Sequence, residues 1–96
     1  MTLQESAVAV SAEETATDHS AVADKYELEA ITADEKARYH AQMAANYRAR
    51  ATGGSKQATT YRSIANHCDR LATTYQKAAA DARAIASMER QLAEEK

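Results

Sequence analysis

Alanine recurs at every seventh position from Ala9 to Ala93, thirteen times in succession. Two further rows run beside it. One reads His19, Tyr26, Ala33, His40 and Tyr47, then Tyr61, Cys68, Tyr75, Ala82 and Glu89. The other reads Val22, Glu29, Lys36 and Met43, then Ile64, Leu71, Ala78, Ile85 and Leu92. A seven-residue period marks α-helices packed along a seam, and the three rows together cover an arc of about 100°. The one interior break is Thr52-Gly53-Gly54-Ser55. Glycine suits the left-handed backbone just past a helix C-terminus, and Ser55 is a good N-cap for a second helix.

The pattern predicts an all-α fold, an antiparallel two-helix hairpin forming a single domain over residues 11–96. The first helix is expected over about 11–51, the turn over 52–55 and the second helix over about 56–95. Ser11 with Glu14 fits a capping box, and so does Thr2 with Glu5, so residues 1–10 are an N-terminal extension, either frayed or helical. At 1.5 Å per residue each helix is roughly 55–70 Å long. Alanine along one flank removes bulk and lets the helices approach near the short end of the usual range of about 8–10 Å.

A finer unit repeats within the rows. His19-x-x-Val22-Ala23-x-x-Tyr26 returns as His40-x-x-Met43-Ala44-x-x-Tyr47 and as Cys68-x-x-Leu71-Ala72-x-x-Tyr75. A degraded fourth copy is Glu89-x-x-Leu92-Ala93. A turn centred on the two glycines pairs residues whose numbers sum to about 108. It sets Tyr47 against Tyr61, His40 against Cys68, Ala33 against Tyr75, Tyr26 against Ala82 and His19 against Glu89. Large faces small twice, which suits a filled core.

The first position of the repeat is thus occupied by residues that ligate metals. His19, His40, Cys68 and Glu89 form the candidate metal set, and imidazole with thiolate points to zinc or copper. Neither layer alone supplies the four ligands of a closed zinc site, so the set requires two chains. Taken singly, each residue also has a plainer reading: Cys68 as a small buried hydrophobe, the histidines as structural groups. The tyrosines Tyr26, Tyr47, Tyr61 and Tyr75 supply bulk, with hydroxyls reaching the rim.

These motifs resemble those of a family of small, mostly uncharacterised bacterial helical proteins with repeated His-x-x-Leu/Met-Ala-x-x-Tyr units and a central His-Cys pair. The matching pieces are His40-Ala-Gln-Met-Ala, His67-Cys68-Asp-Arg-Leu-Ala and Met88-Glu89-Arg-Gln-Leu-Ala, and the likeness spans roughly residues 18–93. It implies a periplasmic or secreted location and no defined activity. Family members carry His where Glu89 stands, a departure that weakens a His-based site carried over from the likeness.

Composition narrows the function classes. Of 96 residues, 45% are hydrophobic and 27% charged, 24 are Ala, and Phe, Trp and Pro are absent. An all-β fold needs turn residues and β-branched or aromatic strands that this chain lacks. No run of about 18 apolar residues provides a membrane span, and Met1–Ser11 is not an intact signal peptide. A single cysteine excludes an internal disulfide. No Ser-His-Asp set, phosphate-binding glycine loop or His-Glu-x-x-His motif is present, so an enzyme is not expected.

Charge is unevenly placed although the net is only −2. Residues 36–68 hold six basic groups and no acid; residues 1–35 hold nine acids and Lys25 alone. The tip is basic and the open end acidic. A head-to-tail homodimer, completing a four-helix bundle, is the expected assembly. The basic tip is also a candidate anionic-surface binder, while the overall acidity argues against nucleic acid.

Overall fold

A computed structural model describes residues 16–95 of the chain. The all-α hairpin is what it shows. Helix α1 covers Ala16–Arg50 and helix α2 covers Lys56–Glu94. The longest dimension is 63 Å, as two helices of 35 and 39 residues laid side by side require. The two alternative helix starts, the extension over 1–10 and its Val8, Ala9 and Val10 lie outside the described residues.

Among the described residues the core consists of alanine alone. Ala23, Ala30, Ala33, Ala37 and Ala44 of α1 are buried, as are Ala58, Ala65, Ala72, Ala79, Ala82 and Ala86 of α2. Among the described residues no polar side chain and no large side chain is fully buried. The physical reason lies in the spacing of two isolated helices. Only the positions at closest approach are covered from both sides, and here they are methyl groups, the heptad alanines together with Ala33 and Ala82 of the neighbouring row. The central cluster joins Ala30 and Ala33 to Ala79 and Ala82, with Tyr26 and Tyr75 packed against it. Burying one such methyl contributes about 0.8 kcal/mol, well below the ~1.5–3 kcal/mol of a core leucine or phenylalanine.

The turn is built differently from the simplest expectation. The helix ends at Arg50, and the glycine with positive φ is Gly53, at +78°. In the last turn of the helix, Arg48 O accepts from Ala51 N at 3.2 Å and Arg50 O from Thr52 N at 2.9 Å, while the turn's own carbonyls are reached from across the hairpin: Arg62 donates through Nη1 to Ala51 O at 3.2 Å and to Gly53 O at 3.3 Å. Ser55 is the N-cap, its hydroxyl accepting from Ala58 N at 3.0 Å. No side chain crowds either glycine. Gly53→Ala therefore carries only the left-handed backbone penalty, about 1–2 kcal/mol. Gly54→Ala is expected to raise stability by about 0.4–1 kcal/mol by stiffening the unfolded chain. Thermal melts of the two variants, monitored by circular dichroism, should move in opposite directions.

Candidate functional site

The two flanks of the seam differ in chemistry. On one flank, charged side chains bridge the helices. Arg48 Nη2 donates to Asp69 at 2.8 Å and to Asn66 at 3.0 Å; Arg83 pairs with Asp34; Arg90 Nη2 reaches Asp24 at 2.9 Å and Glu27 at 2.8 Å. The Arg83 guanidinium, hydrogen-bonded to Asp34, holds that carboxyl below its usual range. These pairs are solvated, and their effect is to favour one register rather than to supply much stability. The row that makes them lies outside the three apolar rows but has the same period. Every seventh residue gives Glu27, Asp34 and, in α2, Arg83 and Arg90, so acids of the first helix face bases of the second.

The opposite flank is open and largely apolar. Between α1 and α2 runs a groove of about 610 Å³, with Tyr26, Leu28, Ala33, Tyr75, Ala78 and Ile85 among its walls and Glu29 and Lys36 at its edge. Leu28 is 64% exposed, and farther along the same side Leu71 is 42% and Leu92 43% exposed. Val22, Met43, Ile64 and Ile85 are partly buried. The side chains that would form a core in a wider bundle thus project beside the seam rather than into it.

Of the four candidate metal residues, the hairpin joins two. His19 Nδ1 donates to Glu89 Oε2 at 2.9 Å, both side chains being about five-sixths covered (15% and 17% exposed). This contact spans the open end and has the predicted register. His40 instead stacks on Tyr75, ring planes 2° apart and centroids 5.5 Å apart, with Tyr39 edge-on at 5.2 Å. Cys68 is a half-buried free thiol, with no hydrogen bond to His40. Among the described residues no three His, Cys, Asp or Glu side chains gather as a metal would require. His67 is exposed to solvent.

The remaining aromatic pairs follow the predicted register. Tyr47 and Tyr61 meet with centroids 5.8 Å apart, and Tyr61 Oη accepts from Gln57 Nε2 at 2.8 Å. The arginines at the tip are engaged locally, Arg48 across the seam and Arg50 over the Tyr47 ring at 5.3 Å. No described helix is long and apolar enough to cross a membrane.

No protein-family model, no curated protein and no solved structure matches this chain. The functional reading therefore rests on the hairpin itself.

Proposed function

We propose that the protein is a self-associating structural module. Two hairpins bring their open flanks together and complete a four-helix bundle. The observation that carries this reading is the contrast between the flanks: one is bridged by ion pairs around a recess of about 520 Å³ beside Ile31, the other leaves a groove with few bridging contacts and a run of partly buried aliphatic and tyrosine side chains. An alanine-only seam buries little, so covering that flank is the largest hydrophobic gain open to the chain. A symmetric pair of identical faces is the common way to achieve it. Light scattering and sedimentation at micromolar concentration test the reading. A dimer mass is the expected result, and a monomer at ~100 µM overturns it.

Metal binding by His19, Glu89, His40 and Cys68 is the second reading, favoured by one contact. A histidine whose Nδ1 is hydrogen-bonded to a carboxylate is the arrangement that commonly orients a metal-binding imidazole. Zinc or copper would then be held between copies. Titration of the reduced protein should raise the melting temperature at stoichiometric metal, and Cys68→Ala should remove the rise. No shift in the wild-type protein leaves His40 and Cys68 as packing residues. Salt-sensitive binding to anionic vesicles would instead place a function at the basic tip, where only the clustered charge of Arg48, Arg50, Lys56 and Arg62 supports one.

A further inference from the structure

We infer that the partner on the open flank is a second copy running in the opposite direction, set in register by two reciprocal ion pairs between Glu29 and Lys36. This rests on the self-association proposed above and specifies its geometry. The row of α1 that holds this pair reads Val22, Glu29, Lys36, Met43 and Arg50, and Glu29 and Lys36 line the groove together with Lys25 and Asp81. Glu29 and Lys36 are seven residues apart on one helix face, roughly 10 Å, too far to pair with each other. Each is exposed, and Lys36 Nζ lies 5.5 Å from the Tyr75 ring centroid, at the margin of the apolar surface.

A two-fold axis crossing the flank midway between them lays α1 antiparallel on α1 of the partner copy. Glu29 of each copy then meets Lys36 of the other, twice. The same axis sets Val22 against Met43 of the partner copy, so this row of α1 is self-complementary there. By the register of the His19–Glu89 and Tyr47–Tyr61 contacts, the axis crosses α2 between Tyr75 and Gln76. Rotation about it brings Ile64 of each copy within about 3 Å along the helix of Ile85 of the other, and Leu71 likewise of Ala78. It also places the basic tip of each hairpin over the acidic open end of the other. A same-direction pairing about an axis along the helices would lay α1 on α2 of the partner copy, leave Glu29 and Lys36 without these partners and set tip on tip.

Charge exchange tests this orientation. Glu29→Lys and Lys36→Glu each place like charges opposite one another in their own homodimer. Mixed together at low salt, the two variants should form heterodimers in excess of the statistical ratio, on the order of tenfold, because both crossed pairs become attractive. The double variant should dimerise as the wild type does. Molar salt should erase the preference. The native cysteine gives an independent reading: spin labels on Cys68 should lie roughly 20–30 Å apart along the bundle in the opposed arrangement. In a same-direction pair they would be at one level, about 10 Å apart or less. A wild-type dimer with no heterodimer preference, or with adjacent Cys68 labels, overturns the orientation while leaving self-association standing. A wild-type monomer removes both.

Discussion

The double variant Leu71→Glu with Ile85→Glu is expected to be a monomeric hairpin at concentrations where the wild type is dimeric. Neither side chain belongs to the alanine seam: Leu71 is exposed, and Ile85 is partly buried beside the groove. The hairpin's internal packing is therefore little altered, and glutamate is a good helix former. In the proposed bundle four aliphatic side chains, two from each copy, would be withdrawn from the interface. Leu71 is 42% exposed and Ile85 less so, which leaves under half of each side chain to be covered, and the loss is about 2–4 kcal/mol before charge burial is counted. That corresponds to a dissociation constant weakened by about two to three decades. Sedimentation velocity reads the mass, and circular dichroism shows whether the helices remain. Retained helicity with halved mass is the expected pair of results. An unchanged dimer mass would place the interface elsewhere and discard the open flank as the contact surface.

The seam should respond in the opposite sense to added bulk. Ala30 and Ala79 are 0% and 1% exposed and belong to one central cluster. Leucine at either position has no space without moving the helices apart, which lengthens every methyl contact along the seam and strains the bridging pairs on the ion-paired flank. Overpacking of this kind costs about 1–3 kcal/mol per site. Ala30→Leu with Ala79→Leu is accordingly expected to lower the melting temperature by on the order of 10–20 °C. Ala78→Leu is the control, one residue away on the same helix. Ala78 is exposed in the groove, and leucine there should leave the melt unchanged or raise it. If the seam variant melted as high as the wild type, close helix approach would not be what organises the hairpin.

Several features are legible in the sequence with little ambiguity. The heptad alanines announce two helices, the Gly53-Gly54 break separates them, and a short turn leaves only antiparallel neighbours. Because the turn length fixes the pairing sum, His19 with Glu89, Tyr47 with Tyr61, and Tyr75 beside Ala33 can all be read from residue numbers. Two contacts are not so legible. His40 shares a level with Cys68 yet its ring lies on Tyr75, since a planar imidazole gains more from an aromatic face about two turns along than from a lone thiol. Arg62 caps the far end of the turn, a contact that depends on how the chain doubles back rather than on any local pattern.

What the sequence determined by itself is therefore the two helices, their direction and their register, because period and loop length are local and arithmetic. Which part of the apolar arc is buried was decided only by the tertiary structure. Three rows are available to each helix, but two helices alone cover only the positions at closest approach, and the smallest side chains permit the closest approach. Alanine takes the seam for that reason, the tyrosines pack at its margin, and Leu28, Leu71, Leu92 and Ile85 are left along the open flank.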